Sequence, residues 1–376
     1  MSRRFVLSTV GISLFSKVLE VSERTVRSER LNLLSNTTTL PPDVAVKVDE
    51  LRQRACARLH DGDVPARRLL SAELNGIYGL YNDGLPSGED VHYLIATDTV
   101  LGRAAADVVC DFLRQHNMNA SIHVPETLNT ESPASFSQGM KNLLTWCEQT
   151  IPGCRTSGYE VVFNLTGGFK SLQGYLNIIG MFYADRLVYI FETGPALLSI
   201  PKLPIRVDTE QLQAQADKLA LLGAGASLRC EEIMDVPEAL LRLQNNGEAT
   251  LSEWGALIWN SMKHEVLAAQ LLTFPYLHYE PSLHKDFEKA TSQQRVALQE
   301  ALAEASAFLL MYEGNPNVLR EHGGLQYDNY TNKRTRDGRP VGHFRISRGD
   351  RVSCTVAGGL LRLRHFGGHD YVNGNP

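Results

Sequence analysis

Eight residues, Asn164-Leu165-Thr166-Gly167-Gly168-Phe169-Lys170-Ser171, constrain the fold of this chain more than any other stretch. They follow Tyr159-Glu160-Val161-Val162-Phe163, a β-branched and aromatic run with the character of a buried strand, and precede 172–184, where apolar residues recur at helical spacing. The eight residues therefore read as a strand-to-helix turn. Two adjacent glycines let the backbone take positive φ and approach a ligand closely, while Thr166, Lys170 and Ser171 bring hydroxyls and a cation to a helix N-terminus, whose free N–H groups favour anions. That is phosphate-binding chemistry. A tight turn in which Asn164 and Ser171 only cap structure fits the same residues, since neither a Walker pattern nor G-x-G-x-x-G is present.

With 376 residues the chain exceeds what one core usually spans, which predicts two or three domains. Residues 5–15 could pass for a leader, but Ser8, Thr9, Gly11 and Ser13 interrupt the apolar run and no small-residue cleavage site follows, so a signal peptide is not expected. No membrane span is expected either. Cysteines 56, 110, 147, 154, 230 and 354 lack the close pairs of a zinc site, which predicts reduced thiols, a cytoplasmic location and no metal. The net charge of −5 is unevenly placed. Residues 315–376 hold ten Lys+Arg against five Asp+Glu, leaving 27 against 37 for the rest, so a nucleic-acid surface belongs at the C-terminal end.

The first 200 residues alternate in type. Strands are expected at 5–11, 91–96, 120–124, 159–163 and 186–191, the last taken as final, and helices at 44–60, 66–78, 103–115, 135–149 and 172–184. Such alternation predicts a parallel sheet with helices on both faces, whose ligands sit at the carboxyl ends of the strands. Three of these ends carry Ser/Thr/Gly-rich turns: 8–11, 97–99 and 164–171.

The strand ending in Ser8-Thr9-Val10-Gly11, the segment Leu94-Ile95-Ala96-Thr97-Asp98-Thr99-Val100-Leu101-Gly102 and the turn Asn164-Leu165-Thr166-Gly167-Gly168-Phe169-Lys170 together resemble the CRISPR-associated Rossmann-fold (CARF) sensor domain, especially the branch of Csm-type and Csx-type effectors. The resemblance covers about residues 1–200. It implies a homodimer whose two-fold pocket binds a cyclic oligoadenylate, with cyclic tetra-adenylate suiting that symmetry. Carried over, Thr9, Gly11, Gly167, Gly168 and Lys170 would meet phosphates and riboses, and Asn164, Thr166 and Ser171 would shape the turn. Asp98 and Thr99 match a motif of more structural role, and Ser71-Ala72-Glu73-Leu74 is similar to the family but reads equally as a helix cap. Some such sensors cleave their own ligand, which Ser8, Thr9 and Lys170 could support.

Lys202 and its flanking prolines 201 and 204 mark a boundary. Beyond it, 208–222 reads as one amphipathic helix; 238–244, the turn 245–247 and 251–271 form a helical connector, possible as a small winged-helix-like unit packed by Trp254 and Trp259. Residues 251–259 carry no basic side chain, which disfavours this segment as a DNA reader in a ligand-gated transcription regulator.

From Leu272 a strand at 274–279, a helix at 283–290 capped by Ser282, a second helix at 293–310 opened by Ser292, and strands at 342–347, 352–357 and 360–366 make a compact α+β unit. This layout, with the ending Leu361-Arg362-Leu363-Arg364-His365-Phe366-Gly367-Gly368-His369-Asp370-Tyr371, resembles the RelE-type ribosome-dependent messenger-RNA interferases, close to the tails of the RelE and HigB group. Those residue types suit metal-independent RNA cleavage, in which a base takes the 2′-hydroxyl proton, cations stabilise the phosphorane and an acid protonates the leaving oxygen. His369 and Tyr371 are nominated for proton transfer and Arg364 and Arg345 for the phosphate; His365, Lys333 and Arg334 are second choices, with Asp370 orienting. Arg362 and Arg364 alternate with Leu361 and Leu363, which equally describes a solvated sheet face, and Tyr327 and Tyr330 either stack on bases or decorate a loop. An R-x4-6-H motif of HEPN nucleases can be mimicked across 362–369, but Gly367 and Gly368 oppose the helix it needs.

The expected class is therefore α/β plus α+β: a Rossmann-like sensor over 1–204, a connector over 205–271 and a RelE-like ribonuclease over 272–376. The joint resemblance implies a cyclic-oligoadenylate-activated nuclease that cuts messenger RNA on the ribosome, with a ribosome-independent nuclease as the alternative. Because the chain is acidic overall, charge alone would steer it poorly to ribosomes, so a specific contact such as a flexible stalk protein is expected.

Overall fold

The computed structural model describes residues 3–19, 37, 39, 41–85, 88–191, 194, 196–205, 207–335 and 337–375. The chain divides into two compact units, Met1–Ile205 and Arg206–Pro376, within a mixed α/β architecture.

In the first unit the strands are β1 (Arg4–Thr9), β2 (Val91–Ile95), β3 (Asn119–His123), β4 (Glu160–Asn164), β5 (Arg186–Ile190) and β6 (Leu197–Pro201). The helices are α1 (Ser13–Lys17), α2 (Pro42–Asp61), α3 (Val64–Leu70), α4 (Ala72–Leu80), α5 (Val100–Gln115), α6 (Pro133–Thr156) and α7 (Lys170–Tyr183). The sheet runs β3-β2-β1-β4-β5-β6, parallel except for β6, which pairs antiparallel with β5. Successive residues of β1 are buried from Phe5 to Thr9, because a central parallel strand is covered on both faces. Strand order reverses at β1, so the crevice beyond the ends of β1 and β4 is the topological switch point.

Two expectations here need correction. The helix expected at 66–78 is two helices, because Ser71 is extended and its hydroxyl accepts the Leu74 N–H, ending α3 and starting α4. The strand expected to be final is followed by β6, an edge strand whose Leu198 and Pro201 are exposed, so no alternating pattern announced it.

The second unit contains α8 (Glu210–Gln213), α9 (Ala216–Gly223), β7 (Leu228–Arg229), β8 (Leu241–Leu243), β9 (Glu248–Leu251), α10 (Glu253–Ala269), β10 (Leu277–Tyr279), α11 (Pro281–Lys289), α12 (Ser292–Met311), β11 (Asp328–Arg334), β12 (Pro340–Arg345), β13 (Asp350–Ala357), β14 (Leu360–Gly368) and α13 (His369–Gly374). The segment 208–222 is thus two helices rather than one. Residues 238–244 are a 3₁₀ turn at Glu238–Leu240 leading into β8, not a helix. Strands β7, β9 and β8 form a small antiparallel sheet. The larger sheet runs β10-β14-β13-β12-β11, antiparallel except for β10 beside β14. One hydrophobic core joins Leu219 and Trp259 to Leu302, Phe344, Leu363 and Phe366, so the residues read as a connector pack in one body with those read as a nuclease.

Neither β11 nor α13 was expected. Asp328–Arg334 is polar throughout and lies at the sheet edge, and α13 is too short to show helical periodicity. Cap assignments shift as well. Thr291, not Ser292, opens α12 through a reciprocal box with Gln294, and Glu280 precedes α11, where Ser282 instead donates to the Arg364 carbonyl at 2.5 Å. No helix among the described residues is long and apolar enough to cross a membrane.

Candidate functional sites

The switch-point crevice of the first unit is built from buried polar groups. Ser8, Thr9, Glu73 and Asn164 are each 0% exposed. The Thr9 hydroxyl donates to the Gly167 carbonyl at 2.6 Å, and the Asn164 amide donates to Ser8 Oγ at 3.2 Å and to the Glu73 carbonyl at 3.1 Å. Asn164 Oδ1 in turn accepts the Thr166 hydroxyl at 2.8 Å. Ser8, Thr9 and Asn164 therefore spend their hydrogen bonds holding the ends of β1 and β4 together. Gly11, Thr166, Gly168 and Phe169, half-buried, and Lys170 and Ser171, exposed, leave the turn accessible.

Glu73 links the two loops. Its Oε1 accepts the Gly11 N–H at 2.8 Å and its Oε2 the Ser71 hydroxyl at 2.7 Å. Burial pushes its pKa up, against the opposing pull of the Gly11 N–H, its own backbone, the Ser71 hydroxyl and Lys17. The glycines follow from this crowding. A Cβ on Gly167 would sit 2.3 Å from Glu73 Oε1, and one on Gly168, at φ +90°, would sit 2.9 Å from Thr9 Cβ. Asp98 and Thr99 lie at the end of β2 in supporting roles: Thr99 caps α5 through the Gly102 N–H, and Asp98 takes Arg103 at 2.7 Å and the Thr127 N–H at 2.9 Å. Burial acts to raise the Asp98 pKa, but these bonds and the Arg103 charge outweigh it and hold the carboxyl below its usual range.

In the second unit the chemistry gathers at the end of β14. Its outer edge is paired with β10 only from Leu361 to Leu363. Beyond that α11 takes the place of a strand, and its side chains continue the ladder: Ser282 binds the Arg364 carbonyl, and Asp286 Oδ2 accepts the Phe366 N–H at 3.1 Å. On the other edge Val352 pairs with Phe366 but Cys354 with Leu363, so Arg364 and His365 together oppose Ser353. This bulge shifts the side-chain alternation by one residue. Phe366 is thereby buried with Leu361 and Leu363, and His365 comes to stand beside Asp286.

His365 Nδ1 lies 3.2 Å from Asp286 Oδ2, the Tyr371 hydroxyl donates to Asp286 Oδ1 at 2.8 Å, and the same hydroxyl is 3.3 Å from His365 Nδ1. An ionised Asp286 selects the tautomer with hydrogen on Nδ1 and leaves Nε2 as the free lone pair. Burial, then the bond to Asp286 and its charge, raise the Tyr371 pKa. A cleft of about 220 Å³ opens here, lined by Asp286, Lys289, Gln294, Phe366, Gly367 and Tyr371.

Other nominated residues are spread more widely. His369 is exposed, with Nδ1 3.2 Å from Asp370 Oδ1 and the Asn373 amide across both ring nitrogens. Arg364 is half-buried, and its guanidinium makes no hydrogen bond or ion pair among the described residues. Arg345 donates to the Ser347 carbonyl and to Gln326, and stands opposite Arg351 across β12 and β13. Lys333 and Arg334 lie on β11, the far edge strand, where Arg334 donates to the Gly338 carbonyl and the Lys333 ammonium lies 4.9 Å from the Tyr330 ring centre. Asp286 was missed in the sequence. Its signal is an acid at 286 on the same helical stripe as Leu283 and Phe287, where a solvated carboxylate has no place. Among the described residues no three His, Cys, Asp or Glu side chains gather as a metal site.

The first unit is thus a doubly wound α/β sheet with a glycine turn at its switch point, and the second an α+β unit with an Asp–His–Tyr cleft. Residues 68–203 match the family model described as CRISPR-associated protein (Cas_APE2256), a span that holds Glu73, Asp98, Thr99 and the whole glycine turn but not β1. No curated protein matches the chain. The family match supports a role in CRISPR defence.

Proposed function

We propose that the chain is a cyclic-oligoadenylate-activated endoribonuclease of type III CRISPR defence, its first unit a CARF sensor and its second a RelE-like messenger-RNA interferase. The observation that carries the nuclease reading is the Asp286–His365–Tyr371 arrangement, a histidine oriented by a buried carboxylate that itself lines a cleft together with Tyr371. In this reading His365 Nε2 takes the proton of a ribose 2′-hydroxyl, whose oxygen attacks the adjacent phosphorus. Arg364, Arg345 and Lys289 offset charge on the phosphorane, and Tyr371 or His369 protonates the departing 5′-oxygen, leaving a 2′,3′-cyclic phosphate and a 5′-hydroxyl. The sensor reading rests on the glycine turn at the switch point together with the CRISPR-associated family match over the same unit. There a cyclic tetra-adenylate, bound by a homodimer, would meet Gly11, Gly168, Lys170 and Ser171, and activation is a population shift toward the arrangement that the ligand binds more tightly. Slow cleavage of the ligand by the sensor, and capture on ribosomes through a stalk protein, belong to the same proposal.

The test is RNA cleavage by purified protein with and without cyclic tetra-adenylate, on naked messenger RNA and on translating ribosomes, with His365→Ala and His369→Ala beside wild type. Cleavage only when ligand and ribosomes are both present, lost in His365→Ala, is the expected result. Ligand-dependent cutting of naked RNA would remove the ribosome from the proposal, and no cutting under any condition would overturn the nuclease.

A further inference from the structure

Helix α13 carries both His369 and Tyr371, yet it has only six residues and no side-chain cap at its start. A helix this short does not hold itself in water, so contacts outside it must fix its position. Three do so. Val372 is fully buried, Tyr371 is bonded to Asp286, and Asn373 Oδ1 accepts the Tyr330 hydroxyl at 2.6 Å. The last contact reaches across the sheet, since Tyr330 sits on β11, separated from β14 by β12 and β13.

Tyr330 is itself held. Its ring stacks on His343 with centroids 4.4 Å apart and planes 25° apart, and His343 Nε2 lies 3.1 Å from an Arg351 guanidinium nitrogen. Beyond Tyr330, Asn373 turns its oxygen toward the phenol and so presents Nδ2 to His369, 3.1 Å from Nδ1 and 3.2 Å from Nε2. Side chains of β13, β12 and β11 thus end in an amide laid against a histidine of the terminal helix. Just before α13 begins, Gly367 near the end of β14 takes φ +149°, and a Cβ there would come within 3.2 Å of the Tyr371 ring.

We infer that Tyr330 and Asn373 are positioning residues of the RNA-cleaving cleft: their hydrogen bond docks α13 on β11 and sets where His369 and Tyr371 stand relative to His365. The inference rests on the nuclease reading above for its functional half, and on geometry alone for the docking half. Neither residue need touch the substrate. Their substitution should therefore leave KM in place and lower kcat.

The experiment uses the full chain, Tyr330→Phe, Asn373→Ala and the double variant, with two readouts. Hydrogen exchange of amides 369–375 should accelerate about tenfold in each single variant, the effect of one lost hydrogen bond, and no further in the double variant because both remove the same bond. In the ligand- and ribosome-dependent cleavage assay kcat should fall about tenfold with KM within about twofold of wild type. Unchanged exchange in Tyr330→Phe would overturn the docking. Faster exchange with unchanged kcat would overturn the positioning role. If the wild-type chain cleaves nothing, the nuclease reading and with it the positioning role fall, while exchange still decides the docking.

Discussion

At the glycine turn the polar side chains lie in the interior, with Ser8, Thr9, Glu73 and Asn164 bonded to one another or to backbone. At the Asp286 cleft the acting side chains face outward, with His365 23% and Tyr371 43% exposed, and only Asp286 is buried beneath them. In the sensor reading the first arrangement would offer a ligand the backbone and the exposed Lys170 and Ser171, held in shape by buried groups. The second offers side chains directly. Damage at the turn should therefore register first as lost stability of the unit, and damage at the cleft as lost chemistry in a protein that still folds.

The largest effect expected from this contrast is at the cleft. His365→Ala should lower ligand-activated RNA cleavage by about 10² to 10⁴-fold, the usual contribution of a general base, with little change in melting temperature. A variant that melts early and retains its rate would reverse the contrast.

Next comes an effect at the opposite end of the first unit's sheet from the turn. His92 is fully buried in β2 with its Nε2 3.0 Å from the Tyr81 hydroxyl, and burial lowers its pKa to about 4, with the opposing influence of Asp90 partly offset by Arg4. The folded unit keeps this imidazole neutral while the unfolded chain protonates it near 6.5. Stability is thus whole above pH 6.5 and declines by about 3 kcal/mol as the pH falls to about 4. Denaturation followed by exchange of the β2 amides at pH 7 and at lower pH should display that loss, and a slope that persists in His92→Gln would sink the assignment.

At the turn itself, Glu73→Ala leaves the Gly11 N–H without its acceptor and should cost about 1–3 kcal/mol, together with cyclic-oligoadenylate binding. Glu73→Gln, which keeps an acceptor, should lose less. Equal losses in the two would mean that an acceptor for the Gly11 N–H is not by itself what ties the loops. The smallest effect expected is Gly168→Ala, about 1–2 kcal/mol for a side chain at φ +90° beside Thr9, measured by denaturant titration.

The same contrast explains what could be read from the amino-acid order. The glycine turn was legible because its strand, its glycines and its helix are consecutive, and the alternation around it announced the parallel sheet. Glu73 was visible as part of a family-like stretch that reads equally as a helix cap, but its tie to Gly11, 62 residues away, was not. The cleft was half legible. His365, His369 and Tyr371 are neighbours in the chain, but Asp286 lies 79 residues before His365, and a bulge, which leaves no mark in hydrophobic patterning, decides which way the histidine turns. Polar β11 was hidden for the reason that also hid Tyr330. An edge strand needs no apolar alternation, so its residues read as a loop.

Ser282 and Asp286 also fill the place of a strand that the sheet does not have. An open edge beyond Leu363 would expose the Arg364 carbonyl and the Phe366 N–H as a template on which a foreign chain could zip, the usual route by which β proteins aggregate. With both groups already occupied, that route is closed where the cleft must stay open to solvent. Asp286 therefore answers to two demands at once, and a substitution chosen to silence the chemistry will also unmask an adhesive edge.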